Sequence, residues 1–149
     1  MQQDLSRAVH ALTLRVKYAD TDKMQVVYYG RYFEYFEAGR NEMLRASGFE
    51  YTRLEALGVQ LPVVKAHADY FSPARYDDEI VVESFISELG NVRITIHYDL
   101  FEKNSHRKLV SGYTTHAFTT AQGKLMRPPK VFLDAISSAV FVASRDEHK

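Results

Sequence analysis

Between Gly30 and Ser47 lies a segment that can be apolar on nearly every side of a helix. At about 100° per residue, Glu34, Glu37, Asn41 and Arg45 fall on one polar stripe. Tyr32, Phe33, Tyr35, Phe36, Ala38, Gly39, Met43, Leu44 and Ala46 fill most of the remaining surface. An arc that wide predicts a helix wrapped by other structure rather than one lying on a surface. Gly48 is the expected stop. A short second helix is expected over Thr52–Leu57, ending at Gly58.

The rest of the chain supplies the wrapping. Leu12 through Tyr18 alternate apolar and polar, the pattern of a half-buried strand within residues 11–18. Val59–Phe71, Glu79–Glu88, Val92–Phe101 and Leu109–Thr119 are rich in β-branched and aromatic residues. Turn signals separate them at Ser72-Pro73, Gly90-Asn91, Lys103-Asn104-Ser105 and Gln122-Gly123. The tight links at Gly90-Asn91 and around Asn104 imply antiparallel neighbours. Arg127-Pro128-Pro129 precedes a last helical segment expected over Val131–Ser144. The order predicts an α+β fold, an antiparallel sheet wrapped around a long central helix. One domain over 1–149 is expected, with residues 1–10 a frayed tail. The sheet leaves an edge to cover, so self-association is expected too.

Composition narrows the chemistry. There is no cysteine, so disulfides, thiolate metal sites and cysteine nucleophiles are excluded. Lys+Arg and Asp+Glu balance at 19 each, which argues against a nucleic-acid partner. The six histidines show no metal-ligand spacing; His67, His97 and His116 lie in predicted strands, while His10, His106 and His148 read as tail or turn residues. There is no Gly-x-Ser-x-Gly elbow and no Gly-rich phosphate loop. No run approaches the roughly 18 apolar residues of a membrane span, and the opening residues hold no signal-peptide core; the expected location is the cytoplasm.

The segment from Val16 to Glu42 carries the chemistry. Asp20 and Asp22 lie in a polar loop just before the long helix. Tyr29 and Gly30 fall at that helix's N-terminus, where free N–H groups and the helix dipole favour negative charge. A carboxylate facing such N–H groups suits acyl transfer: it attacks or activates water while they hold the developing oxyanion. The plainer reading is that both aspartates shape the turn and cap the helix. Arg40 and Glu42 project into the apolar arc and need partners, in the core or at a subunit interface. Arg93, Lys124, Arg127 and Lys130 sit near turns or strand ends and are either ordinary surface charges or contacts for a phosphorylated ligand.

The same segment resembles the 4-hydroxybenzoyl-CoA thioesterase family of hotdog proteins. The matching residues are Tyr18-Ala-Asp-Thr-Asp22, Val26-Val27-Tyr28-Tyr29, Tyr32 and Phe36-Glu37-Ala38-Gly39-Arg40-Asn41-Glu42, followed by Tyr70 through Asp78 and the Arg127-Pro128-Pro129 exit. The resemblance implies a hotdog fold and hydrolysis of an acyl-CoA thioester, with Asp22 as the catalytic carboxylate and the Tyr29 backbone N–H polarising the carbonyl. It implies substrate bound where subunits meet in a dimer or dimer of dimers, and no cofactor beyond the CoA of the substrate. Gln25, Tyr28, Tyr32, Leu61, Val63, Asn91 and Arg93 are the expected substrate-binding residues.

The chain departs from the family pattern at Gln25, where glycine is usual. If that position needs positive φ, glutamine carries a strain cost; if it lines the site, it adds an amide. Relatives often carry His in place of Tyr29 and Asn in place of Arg31. The phosphate-binding stretch after Gly90 reads Asn91-Val92-Arg93, with its basic residue displaced. A non-catalytic acyl-CoA sensor on the same scaffold is the alternative to an enzyme. A hotdog hydratase needs a histidine in the site, and none lies near Asp22.

Overall fold

The computed structural model describes residues 9–138. The elements run β1 (Val9–Arg15), α1 (Arg31–Ala46), α2 (Tyr51–Ala56), β2 (Val63–Tyr70), β3 (Glu79–Leu89), β4 (Arg93–Glu102), β5 (Lys108–Ala117) and α3 (Lys130–Ser137). A single 3₁₀ turn, Tyr18–Asp20, follows β1.

Both glycine stops act as the sequence predicts. At the end of α1, Gly48 takes φ +85°, its N–H reaches Arg45 C=O, and Phe49 N–H reaches Leu44 C=O. At the end of α2, Gly58 takes φ +76°, with Gly58 and Val59 bonding to Glu55 and Leu54 in the same way. These are Schellman endings, and each buries the residue that follows, Phe49 or Val59.

The sheet is antiparallel throughout, in the order β1-β3-β4-β5-β2. Register shifts at Ile86/Glu88, Leu100/Phe101 and Val63/Lys65 interrupt the ladders; bulges of this kind increase twist and let a sheet curl. α1 packs into it at two glycines. A Cβ on Gly39 would lie 2.6 Å from Val82 Cγ1 and 2.7 Å from Ser84 Oγ, so the helix axis approaches β3 only because no side chain intervenes. Gly112 on β5 leaves room for the Phe36 ring, which stacks on Tyr98 at 4.4 Å between centroids. Phe132 of α3 is fully buried against Phe49 and Phe118. This is the hotdog arrangement, sheet around helix.

Several boundaries differ from expectation. Val9 and His10 open β1 rather than fraying, because they pair with Phe85 and Ser84. Pro62 lies just ahead of β2, and Gln60 is held separately by a bridge to Thr119. The expected last helix begins at Lys130, and its stretch beyond Ser138 lies outside the described residues. The wrapping of α1 is incomplete in one chain: Phe33 stays 36% exposed. β1 and β2 are the two edges of the sheet, and β2 is the more exposed of them. Val63, Val64 and Tyr70 on it are each about half exposed.

Candidate active site

The loop between β1 and α1 is built around Asp20. Its carboxylate accepts hydrogen bonds from Lys17 N–H (3.2 Å) and the Tyr35 hydroxyl (2.8 Å), and its carbonyl accepts from Tyr28 N–H (2.9 Å). Asp20 is 9% exposed and Tyr35 7%. Burial, with the bond to Asp20, drives the Tyr35 pKa far above the usual phenol range, so the hydroxyl is a fixed donor. Asp20 is thus a turn residue, as the plainer reading holds.

Asp22 sits differently. Its N–H donates to Val26 C=O and its C=O accepts from Gln25 N–H, both at 2.9 Å. Its Oδ1 accepts from Met24 N–H at 2.8 Å and from Val26 N–H at 3.4 Å. This is the bonding of a three-residue hairpin loop whose last residue is left-handed. That residue is Gln25, with φ +66°. The glycine-favouring position therefore exists, and glutamine occupies it at a cost of about 1 kcal/mol. Asp22 lines a cavity of about 380 Å³ with Tyr18, Thr21, Gln25, Arg75 and Tyr76. Oδ1 is engaged by the backbone; among the described residues no donor meets Oδ2.

Tyr29 precedes the first turn of α1. Among the described residues no acceptor meets the Tyr29 or Gly30 N–H, so the helix end offers donors beside the positive end of its dipole. The Tyr29 carbonyl is held by the Tyr70 hydroxyl at 3.1 Å. Tyr28, Tyr29, Tyr70, Tyr32 and Tyr35 form a run of ring contacts. A second cavity, of about 320 Å³, is lined by Val27, Tyr29, Tyr32, Tyr70, Phe71, Ser72 and Pro73. The Tyr32 hydroxyl accepts from Ala74 N–H at 3.2 Å, and burial raises its pKa.

The structure brings Asp22, Gln25, Tyr28, Tyr29 and Tyr32 to one end of the sheet. The other expected residues lie at the far end. Val63 pairs with His116, Arg93 pairs with Ala117, and Asn91 sits in the β3–β4 turn. The length of β3 separates the two groups, about 30 Å at the usual rise per residue. Arg93, Lys124, Arg127 and Lys130 are all exposed, and Lys130 pairs with Asp134 at 3.1 Å. Arg40 and Glu42 find partners on their own helix, Glu37 and Arg45. Tyr18, Arg75, Tyr76, Tyr70 and Phe71 line the two cavities, and sequence reasoning does not reach them as site residues. Their signal is the Tyr70–Asp78 match, which marks a link between strands but gives no side-chain role. Among the described residues no three His, Asp or Glu side chains gather as a metal site, and no helix is long and apolar enough to cross a membrane.

An antiparallel sheet wrapped on a long helix defines a hotdog protein. The model of the thioesterase-like superfamily matches residues 16–136, and the chain belongs to that family. It is 30% identical over 122 residues to a provisionally named esterase of Aquifex aeolicus, an alignment spanning 82% of this chain and 93% of the relative. It is 38% identical over 95 residues to the Haemophilus influenzae acyl-CoA thioesterase YbgC, spanning 63% of this chain and 66% of the relative. Among solved structures, the 1,4-dihydroxy-2-naphthoyl-CoA thioesterase of Synechocystis superposes with a TM-score of 0.81 at 23% identity, covering 88% of this chain and 97% of the other, and shares the fold.

Proposed function

We propose that the protein hydrolyses an acyl-CoA thioester to the free acid and CoA thiol. The observation that carries this reading is the Asp22 carboxylate, tied by one oxygen to Met24 N–H and open at the other, seven residues ahead of the unbonded Tyr29 N–H. As general base, Asp22 takes a proton from water; the oxygen adds to the thioester carbonyl, the C–S bond breaks, and the thiolate leaves with a proton. As nucleophile, Asp22 forms a C–O bond as C–S breaks, and water then cleaves the mixed anhydride. Either way the Tyr29 N–H holds the oxyanion and the helix dipole adds to it. Gln25, Tyr28 and Tyr32 shape the acyl side, and the proposal includes no cofactor.

Self-association completes the site. Among the described residues β2 pairs on one side only, and two copies of an antiparallel sheet can join edge to edge about a two-fold axis. Pairing β2 with its copy lays the start of one strand, near Val63, beside the end of the other, near Tyr70. Tyr70 holds Tyr29. Leu61 and Val63 of one subunit then flank the acyl pocket of its neighbour, and Asn91 and Arg93 belong to the same far end that each subunit contributes.

A non-catalytic acyl-CoA sensor draws on one observation: Asp22 and Tyr29 line separate cavities. Free-thiol release from short, medium, long and aromatic acyl-CoA esters separates the readings. Turnover that Asp22→Asn abolishes supports the hydrolase. Tight binding without turnover supports the sensor.

A further inference from the structure

Arg40, Tyr98, Thr114 and His116 form a connected run of polar side chains between α1 and the sheet, where apolar ones would suffice. Arg40 of α1 donates to the Tyr98 hydroxyl at 3.3 Å. The Tyr98 and Thr114 hydroxyls are 2.6 Å apart, and Thr114 Oγ1 lies 2.8 Å from His116 Nε2. His116 Nδ1 lies 2.9 Å from Leu61 C=O. Tyr98 and His116 are fully buried, Thr114 is 3% exposed, and the Arg40 side chain is 13% exposed. Buried polar groups are costly unless satisfied, and this chain satisfies each in turn.

The two ends fix its direction. A guanidinium can only donate, so Tyr98 accepts there and its proton goes to Thr114. A carbonyl can only accept, so His116 Nδ1 carries the ring proton and Nε2 is bare. Thr114 must then donate to Nε2. Every hydroxyl rotor and the histidine tautomer follow from the identities of Arg40 and Leu61. Burial lowers the His116 pKa to about 4, with the Arg40 charge acting the same way and the Leu61 bond opposing, so the neutral ring that this order requires is the form present at pH 7.

The terminus of the chain is the informative part. Leu61 C=O lies off the ladder: Gln60 exchanges bonds with Thr119, Pro62 C=O accepts from Ala117 N–H, and Pro62 has no N–H to give. The register then slips between Val63 and Lys65. His116 holds the Leu61 carbonyl between the backbone bonds of Gln60 and Pro62.

We infer that Arg40, Tyr98, Thr114 and His116 are positioning residues that fix the Leu61–Val63 segment and through it set which acyl groups the enzyme accepts. The inference rests on the proposed function, in which that segment flanks the neighbouring subunit's acyl pocket. None of the four touches Asp22 or Tyr29. Their loss therefore changes selection among esters rather than the chemical step.

The test compares wild type with Tyr98→Phe, Thr114→Val and His116→Asn across the acyl-CoA panel, with nitrogen-15 NMR of the histidine rings. His116→Asn is the conservative variant, because its side-chain amide keeps a donor near the Nδ1 position. The expected result is a neutral Nδ1–H tautomer at His116 in wild type. Tyr98→Phe and Thr114→Val change the ratio of kcat/KM between the best ester and its next-longer homologue by about threefold or more, through KM, with kcat for the best ester held. His116→Asn falls between them and wild type. An Nε2–H tautomer overturns the inference. So does an unchanged ratio in variants whose only defect is a lower Tm. If wild type turns over no ester, the hydrolase reading fails instead, and the same ratio is read from acyl-CoA dissociation constants by calorimetry.

Discussion

The Tyr35 hydroxyl meets the Asp20 carboxylate at 2.8 Å, and both groups are buried. This bond separates the roles of two aspartates that stand two residues apart. Asp20 is buried in tying the loop to α1, whereas Asp22 lines a cavity. Tyr35→Phe should cost about 2 kcal/mol, the usual value for a buried hydrogen bond to a charged group. Denaturant unfolding checks it. A loss below a few tenths of a kcal/mol would mean that the loop is held by other contacts.

Asp22→Asn should abolish most thioester turnover while leaving Tm within a degree or two of wild type. The asparagine carbonyl can still accept from Met24 N–H, so the hairpin survives. A variant with wild-type turnover would remove Asp22 from the mechanism.

Gln25 separates backbone strain from side-chain function. Gln25→Gly should be neutral or stabilising by up to about 1 kcal/mol, because relief of the left-handed strain outweighs the entropy of glycine. Gln25→Val should destabilise by more than that, since a β-branched residue tolerates φ +66° least. If Gln25→Gly is stable yet loses activity, the amide acts on substrate. If activity is kept, the residue serves only the turn.

His116 predicts a pH dependence of stability. Its folded pKa of about 4 lies below the ordinary 6.5. Between those values the unfolded chain binds a proton that the folded chain does not. Stability is therefore whole above pH 6.5, falls as pH drops toward 4, and the loss then levels off, amounting to about 3 kcal/mol. His10, whose pKa burial also lowers, adds a slope of the same sign. The measurement is the difference in this slope between wild type and His116→Asn. Equal slopes would show that the ring protonates in place.

Charge on the β2 edge should break the proposed self-association. Val64 is 49% exposed on that strand. Val64→Lys should shift sedimentation toward monomer and lower specific activity with it. A monomer of full activity would show that one chain holds a complete site.

Much of the fold was legible because local signals agreed. Gly48 and Gly58 marked helix ends through a conformation that few other residues adopt, and α1 runs within a residue of its expected limits at both ends. Strand centres followed from β-branched runs, whereas their ends did not: Val9 and His10 pair only because β3 is long enough to reach them. At the site, the carboxylate and helix end could be placed, and the resemblance selected Asp22. That Asp20 is buried under Tyr35 could not be read, since it depends on how α1 lies over the loop. The second contact of Arg40, with Tyr98, was hidden for a like reason. Tyr98 is 58 residues away and reaches it only through the close approach that Gly39 and Gly112 allow.

The two groups of proposed site residues lie a strand's length apart, and this has a genetic consequence. In a two-fold pair, each site takes its carboxylate end from one polypeptide and its far end from the other. An Asp22 variant, inactive alone, mixed with a Leu61 variant of altered ester selection should regain one fully intact site per heterodimer. By the same logic a defective copy expressed beside a normal one spoils half of the sites it joins and spares the rest. Injury to either end should be additive with gene dose, never fully dominant.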